Sequence, residues 1–548
     1  MTEGAVRGIV SKMRSRLSLY RLPLLSGLFI GTSYIPFPPW ALFFCLVPLW
    51  LFWLREVSVR KILWGGWLAQ FLFCLVGFHW VAHTAHEFGH MPWAAALLVL
   101  LLFCAFGHLF FVLAGLAFAL LRDRLHLSRA AQLLLLPCVT ALCWRAVPMI
   151  FPWNLGYPWL WARLPAFQLA EFVGFEGLGV LTLFLNLALL AAWEHRKART
   201  GAYLLGGTAG LLLLLNGAGW IAGKAQPAPD AAARILVVQG NIGNLEKVSA
   251  ETWEGAREEI LRRYFRLTRQ GIAQGPDRMP DFAVWPETAF PETILHGRLA
   301  EGYSGVLSNF VRFHGTALVT GAVGRDEASG KPTNSMFFLD RDGGMGDKPY
   351  DKVHLLMFGE YFPFSDRFPV LREWFPFTAD FAPGPGPGTR GIAGIRVGPQ
   401  ICYEGLFPDV SRSLANQGAQ IFVNITNDSW FGTTAEPRQH LVMTLARGIE
   451  FRRPVVRATN TGISAAMRAD GTLPDLSPLH AEWTGLYDIP YRKEPSPTFF
   501  QEYGYRLVPA VLWLAAVFVI ATGWKGGRGS PEPPPPEGTT RPKARHGR

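Results

Sequence analysis

The chain has 548 residues, of which 50% are apolar and only 17% are charged, and its formal net charge is +11. An ordinary soluble protein carries about 25% charged residues. The low charged fraction of this chain therefore indicates a protein in contact with lipid and argues against a wholly water-soluble one. A single hydrophobic core rarely grows beyond about 250–300 residues, so the length predicts more than one domain. The basic residues lie beside apolar runs and not on one polar face, which indicates membrane topology and argues against nucleic acid as a partner.

Residues 1–224 predict a transmembrane bundle of about seven spans. Apolar stretches suited to ~30 Å of hydrocarbon lie near 22–37, 39–54, 62–82, 92–121, 130–151, 166–193 and 203–222. The first two are short and have prolines between them, so they predict either a tight hairpin or a re-entrant pair. A further span at 506–523, within residues 501–524, brings the expected total to about eight.

Lysine and arginine are concentrated in alternate connections between these spans. They precede the first span, separate the second from the third, and follow the fourth and the sixth. The intervening connections, 83–91 and 152–165, contain no lysine and a single arginine, Arg163. The positive-inside rule then places the N-terminus and the proline-rich tail 525–548 in the cytoplasm, and residues 225–500 across the membrane. The composition of the tail predicts disorder.

Residues 225–500 have the pattern of a layered α/β domain. Short β-type runs bounded by turn signals lie at 234–241, 281–288, 316–323, 334–340, 395–404, 419–428 and 454–467. Helical patterns separate several of them, at 250–274, 299–314, 408–417 and 437–452. Alternation of strands and helices is typical of an α/β domain.

Three segments in this domain place a reactive side chain where a strand ends. WPET carries Glu287, YDKVHLLMFGEYFPF carries Lys352 and Glu360, and ICYEGLFP carries Cys402 and Glu404. A thiol that attacks an ester or amide needs a base for its proton and positive charge beside the developing oxyanion. Taken one at a time, such residues are more often an inert core thiol, a turn residue and a surface charge. The other five cysteines lie in apolar runs, so no disulfide is predicted.

Five ordered motifs resemble those of a membrane-fused branch of the nitrilase-like (carbon–nitrogen hydrolase) superfamily, the apolipoprotein N-acyltransferase family. They are WPET (285–288), YDKVHLLMFGEY (350–361), ICYE (401–404), NITNDSWFG (424–432) and the segment 447–465. Bundle segments 78–93 and 156–174 are also similar to loops of that family. The resemblance implies an eight-helix bundle that carries an αββα sandwich at 225–500.

The resemblance also implies a catalytic triad and a reaction. Glu287 would be the general base, Lys352 would stabilise the oxyanion, and Cys402 would take an acyl chain from a phospholipid, typically phosphatidylethanolamine, as a thioester. The thioester would then acylate the amine of the N-terminal diacylglyceryl-cysteine of an apolipoprotein. No cofactor is expected. The implied location is the inner membrane of a Gram-negative-type bacterium, with the catalytic domain on the periplasmic side.

Supporting roles are implied for three further residues. Glu360 would support the lysine, Tyr403 would contribute its backbone N–H, and Glu404 would orient the cysteine loop. Met357 stands where family members often have proline, which leaves a non-catalytic paralogue as an alternative.

The aromatic-rich segment 360–377 predicts either a lipid-facing lid over Cys402 or a hydrophobic loop packed on the domain. The candidate substrate-contacting residues are Phe362, Trp374, Phe375 and Trp430.

Other functions remain open from the sequence. His83, His86, Glu87 and His90 have spacings that suit a metal, but they lie in a short interhelical loop, and no metal is expected. One rival is a membrane-tethered amidase or nitrilase, although a water-soluble substrate would not need a multi-span anchor. The other is a transporter or sensor, which would need more charge within the spans.

Overall fold

The computed structural model describes residues 3–243, 254–295, 299, 302–370, 373 and 379–527. Its N-terminal region is helical. The helices are α1 (Glu3–Ser33), α2 (Val47–Arg55), α3 (Val59–Gly77), α4 (Trp80–Glu87), α5 (Trp93–Phe106), α6 (Phe110–Leu125), α7 (Arg129–Ala146), α8 (Tyr157–Trp161), α9 (Ala170–Glu194) and α10 (Arg199–Lys224).

Several of these helices are suited to a membrane. Five segments of the described chain are long and apolar enough to cross one: Val59–Gly77, Trp93–Leu125, Pro165–Glu194, Arg199–Lys224 and Phe500–Thr522. They confirm a polytopic helical region, whereas the predicted total of about eight spans is not confirmed. The stretch at 39–54 forms turns followed by the nine-residue α2. At 1.5 Å per residue, α2 is about 14 Å long and cannot cross a bilayer alone.

The region after α10 contains two β-sheets. Their strands are β1 (Ala231–Gln239), β2 (Phe282–Val284), β3 (Ala317–Arg325), β4 (Pro332–Leu339), β5 (Tyr350–Asp351), β6 (Arg390–Ile392), β7 (Ile395–Ile401), β8 (Ile421–Thr426), β9 (Val455–Thr459), β10 (Ala465–Met467) and β11 (Trp483–Tyr491). The first sheet has the order β11-β1-β2-β3-β4-β5 and the second β10-β9-β8-β7-β6. The helices here are α11 (Glu254–Ala273), α12 (Gly302–His314), α13 (Pro408–Asn416), α14 (Glu436–Phe451) and α15 (Tyr505–Gly527).

The two sheets pack face to face because their strands are apolar on both sides. In β1, Ile235 and Val237 enter the core between the sheets, whereas Leu236 and Val238 enter the core beneath α11 and α12. This two-residue alternation is what a pleated strand imposes on its side chains. On the second sheet, the outer face is covered by α13 and α14. The layers are therefore α, β, β and α, as predicted.

Helix α14 fixes the sandwich to the bundle. All of its residues except Arg438 are buried, and its apolar side chains belong to a core that includes bundle residues. Gln439 donates to the carbonyl of Ile35 at 2.7 Å. Near the other end of α14, Glu450 accepts the backbone N–H of Phe175 at 2.9 Å. Buried polar groups without partners are costly, so these bonds set the position of α14 on the bundle.

A kink in α9 makes the second of these bonds possible. Gly174 has φ +67° inside α9, and a Cβ there would lie 2.4 Å from the ring of Phe500, which is buried. We expect Gly174→Ala to reduce the free energy of unfolding by about 2 kcal/mol or more, because a left-handed alanine costs about 1–2 kcal/mol and the clash adds to it. Thermal unfolding of the detergent-purified protein measures the effect.

Gly206→Ala is the matched control. It lies in α10, and its Cβ would meet nothing within 4 Å. Alanine is favoured over glycine in a helix by about 1 kcal/mol, so this variant should unfold at the wild-type temperature or slightly above it. Equal melting temperatures for the two variants would contradict the strain assigned to Gly174.

Candidate active site

Lys352 lies at the centre of a buried cluster of charges. It directly follows β5, and its Nζ lies 3.4 Å from Oε1 of Glu287 and 2.8 Å from Oε2 of Glu360. Burial opposes the charge of the ammonium group, but Glu360 and then Glu287 outweigh it and raise the pKa of Lys352 above its ordinary value. The lysine is therefore a fixed positive charge in a site that excludes water, where its field is strong.

Two carboxylates are held in place by backbone and amide donors. Asn334 on β4 donates its Nδ2 to Oε1 of Glu287 and to Oε1 of Glu360, both at 2.7 Å. The backbone N–H of Asn427 donates to the second oxygen of Glu287 at 2.9 Å. Glu287 follows β2, as the WPET motif predicts, and its side chain is buried. Its carboxylate thus has a fixed orientation toward Lys352.

Cys402 begins a sharp turn at the end of β7. Its φ is +52°, in the left-handed region that non-glycine residues rarely adopt. The side chain is 8% exposed. Burial, followed by the charge of Glu287, raises the pKa of the thiol well above its ordinary value, and Lys352 opposes the rise. The resting thiol is therefore protonated and needs a base before it can attack.

Glu404 joins the turn at Cys402 to the segment that follows Lys352. Its carboxylate accepts the backbone N–H of Ile401 at 2.8 Å and that of Val353 at 2.7 Å. It also accepts the hydroxyl of Tyr350 at 3.0 Å. Burial raises the pKa of this carboxyl to about 7. These bonds fix the separation between the lysine and the cysteine.

A second buried network lies behind Cys402, and the sequence analysis assigned no role to it. The carbonyl of Cys402 is 3.2 Å from Nε2 of His440, whose Nδ1 is 3.1 Å from Asp428. Arg457 binds the other oxygen of Asp428 at 2.9 Å. The carbonyl and the carboxylate both only accept, so a neutral imidazole donates to one of them at a time, to Cys402 from Nε2 or to Asp428 from Nδ1. Asp428 lies in the motif 424–432 and Arg457 in the motif 447–465, both shared with the family. Their presence in these motifs could have identified the network from the sequence.

The same network contains the group of potential metal ligands found among the described residues. Asp428, Glu436 and His440 have ligand atoms within 4.8 Å of one another. The guanidinium of Arg457 occupies one side of Asp428, so the group fits a hydrogen-bond network better than a cation site. His83, His86 and Glu87, predicted to lie in an interhelical loop, are on α4 instead, and Nδ1 of His86 is 2.7 Å from the carbonyl of Met91.

The remaining predicted residues lie near the bundle or outside the described chain. The hydroxyl of Tyr403 donates to the carbonyl of Ile150, which belongs to the bundle. The ring of Trp430 is 4.2 Å from that of Phe88, between centroids. Phe362 is half-buried near Phe358. Trp374 and Phe375 lie outside the described residues.

Replacing His440 tests whether the second network positions the nucleophile. We expect His440→Phe to lower kcat by about 10–100-fold, the equivalent of one lost buried hydrogen bond, with little change in KM. His440→Gln should recover part of the loss, because its amide can donate to the carbonyl of Cys402. Initial rates over a range of donor concentrations give the two constants.

His86→Phe, outside the cluster, is the control and should keep the wild-type rate. A purely structural role would reduce the amount of folded protein without changing kcat per folded molecule, and that outcome would contradict the positioning role of His440.

Comparisons with known proteins agree with this architecture. Residues 258–486 match the carbon–nitrogen hydrolase family, and residues 26–188 match the apolipoprotein N-acyltransferase N-terminal domain. The sandwich with its buried glutamate, lysine and cysteine thus defines a nitrilase-like domain joined to a membrane bundle. The chain belongs to the apolipoprotein N-acyltransferase family.

Two apolipoprotein N-acyltransferases support the assignment. The apolipoprotein N-acyltransferase of Bdellovibrio bacteriovorus is 43% identical over 525 residues, covering 93% of this chain and 94% of that protein. That of Pseudomonas aeruginosa strain PAO1 is 32% identical over 470 residues, covering 82% of this chain and 86% of its own. The solved structure of Saccharomyces cerevisiae Nit3, a nitrilase-superfamily member, is 16% identical, covers 48% of this chain and 93% of its own, and has a TM-score of 0.37.

Proposed function

We propose that this protein transfers an acyl chain from a membrane phospholipid, through a thioester on Cys402, to the N-terminal amine of a diacylglyceryl-cysteine apolipoprotein. The observation that carries the proposal is the buried ammonium of Lys352, held by Glu287 and Glu360, in a cluster whose charges act on the thiol of Cys402. Membership of the N-acyltransferase family supplies the substrate classes.

In the first half-reaction, Glu287 removes the proton of the Cys402 thiol as sulfur attacks the ester carbonyl carbon of the phospholipid. Negative charge develops on the carbonyl oxygen, where Lys352 and the backbone N–H of Tyr403 stabilise it. The ester C–O bond then breaks, and Glu287 returns the proton to the departing lysophospholipid alcohol. The acyl chain remains on sulfur as a thioester.

In the second half-reaction, the amine of the diacylglyceryl-cysteine attacks the thioester carbonyl. Glu287 takes the amine proton, the C–S bond breaks, and the thiolate of Cys402 recovers that proton. The product is an amide at the N-terminus of the lipoprotein. Glu360 acts through Lys352 and Glu404 acts through the cysteine turn, so both are positioning residues.

The location of the site suits lipid substrates. The positive-inside pattern supports a periplasmic position for residues 225–500 at the inner membrane. Phosphatidylethanolamine is the proposed donor because the family resemblance implies it. Phe364 and Phe368, 76% and 53% exposed, lie in the aromatic segment that we propose covers the acyl chain. The shared core around α14 keeps the site close to the bundle.

The test uses the full-length protein in phospholipid nanodiscs with a synthetic diacylglyceryl-cysteine lipopeptide. We expect the lipopeptide to gain one acyl chain by mass spectrometry, faster with phosphatidylethanolamine than with phosphatidylglycerol. A lipopeptide whose amine is acetylated is the control and should gain nothing. Release of free fatty acid without acylation, or hydrolysis of small amides, would favour the amidase alternative.

A further inference from the structure

A basic cleft lies between the bundle and the sandwich, away from Cys402. Its volume is about 800 Å³, and it is lined by residues that precede and begin α9, the end of α10, and the segments around Arg452, Asp470 and Arg492. Helix α14 separates the two sites. From His440 to Arg452 the helix rises about 18 Å, so the cleft is a different place from the candidate active site.

The cleft contains more positive than negative charge. Its lining includes six cations and two carboxylates: Arg163, Lys224, Arg452, Arg453, Arg468 and Arg492, against Glu171 and Asp470. Arg452 is neutralised by Glu171, 2.8 Å away. Within the described part of the chain, the other five cations form no ion pair with a carboxylate. Five cations therefore line one cavity without carboxylate partners.

Two cations of the lining, Arg468 and Arg453, lie in unfavourable surroundings. Nε of Arg468 is buried and has no hydrogen-bond partner among the described residues. Burial, together with the nearby charge of Arg492, lowers the pKa of Arg453 to about 10. Unpaired donors and like charges both raise the free energy of the empty cleft, and one bound anion would relieve both.

The rim of the cleft is aromatic and lies at the ends of apolar helices. Trp220 on α10 is 60% exposed, and the rings of Phe172 and Phe499 are half-exposed with centroids 6.4 Å apart. Lys224 is the last residue of α10. Only 11% of the residues in the apolar window of this helix are buried inside the protein, so most of α10 is free to contact lipid. Exposed aromatic side chains followed by a terminal lysine are typical of a helix at the boundary between lipid and water. The cleft therefore opens where phospholipid head groups lie.

We propose that this cleft binds the phosphate of an anionic phospholipid, with the acyl chains against α9 and α10. A small soluble anion would need the cations but would gain nothing from the aromatic rim or from the lipid-facing side of α10. Basic pockets at the ends of transmembrane helices bind anionic head groups for the same electrostatic reason. The bound lipid would link bundle and sandwich without entering the reaction.

The test compares two triple variants of the full-length protein by native mass spectrometry. The cleft variant is Lys224→Gln, Arg468→Gln and Arg492→Gln. The charge-matched control is Arg312→Gln, Arg341→Gln and Lys348→Gln, all on the far part of the sandwich. The probe is a dialkyl-ether phosphatidylglycerol, which has no ester for Cys402 to attack. Phosphatidylcholine and soluble glycerol phosphate serve as the zwitterionic and small-anion probes.

We expect wild type and control to retain one phosphatidylglycerol that the cleft variant binds at least tenfold more weakly, and none of the three to retain phosphatidylcholine. Equal retention by all three proteins would overturn the proposal. Displacement of the lipid by glycerol phosphate at similar concentration would assign the cleft to small anions instead.

A photoactivatable phosphatidylglycerol on wild type gives a result that does not depend on the variant folding. It should label peptides that contain Trp220 or Phe499, and labelling confined to other peptides would overturn the proposal. These experiments measure lipid retention and labelling, not acyl transfer. Loss of lipid binding in the cleft and loss of acyl transfer from Cys402 can therefore be told apart.

Discussion

Replacement of Cys402 by alanine is expected to abolish acyl transfer, with a fall in rate on the order of 10⁶-fold and no loss of fold. The reason is chemical: a methyl group cannot form the acyl intermediate, and losing the nucleophile of a catalytic triad costs about this factor. Alanine adopts the φ of +52° at least as readily as cysteine, so the turn at the end of β7 should persist. Initial rates of lipopeptide acylation measure the effect.

Cys143→Ala is the matched control, since Cys143 is a partly buried free cysteine of the bundle. It should retain the wild-type rate. Substantial acylation by Cys402→Ala would mean that another group carries the acyl chain and would contradict the thioester mechanism.

Replacement of Lys352 by methionine is expected to reduce both stability and rate. Glu287 and Glu360 would remain buried without their cation, and breaking a buried ion pair in this way costs about 3–5 kcal/mol. The developing oxyanion would also lose its positive partner, so we expect a further loss of about 10²–10³-fold in kcat per folded molecule. Thermal unfolding and single-turnover rates measure the two effects separately.

A double variant distinguishes the two roles of the lysine. In Lys352→Met with Glu360→Gln, one unpaired carboxylate is removed, so part of the stability should return while the rate stays low. Lys331→Met is the control: its Nζ lies 3.1 Å from Asp380 in a half-exposed pair, worth at most about 1 kcal/mol. Full recovery of the rate in the double variant would contradict the role of Lys352 as the oxyanion partner.

Much of the sandwich could be predicted because its determinants are local. The continuous apolar run from Ile235 to Val238 is visible in the sequence, and the two-residue period of a strand sends its side chains to both faces of β1. The three residues of the candidate triad could be selected from the family motifs, and their catalytic roles stay a prediction. The structure places Glu287 against Lys352, two residues that are far apart along the chain.

Features that depend on contacts between distant segments could not be predicted. Asn334 binds two carboxylates that come from different loops, and nothing in its own strand indicates this. The contact of His440 with the carbonyl of Cys402 likewise requires the packing of α14 against the turn that follows β7. The apolar stretch at 39–54 predicts one half of a hairpin or re-entrant pair, whereas the structure has turns and the nine-residue α2 there, because hydropathy reports composition and not where a helix begins.

Intact-protein mass spectrometry after incubation with phosphatidylethanolamine, in the absence of lipopeptide, would detect the acyl-enzyme itself. If Cys402 carries the acyl chain, wild type gains the mass of one fatty acyl chain, peptide mapping places it on Cys402, and hydroxylamine or added lipopeptide removes it. An unchanged mass, or an acyl chain on any other residue, would contradict a thioester on Cys402.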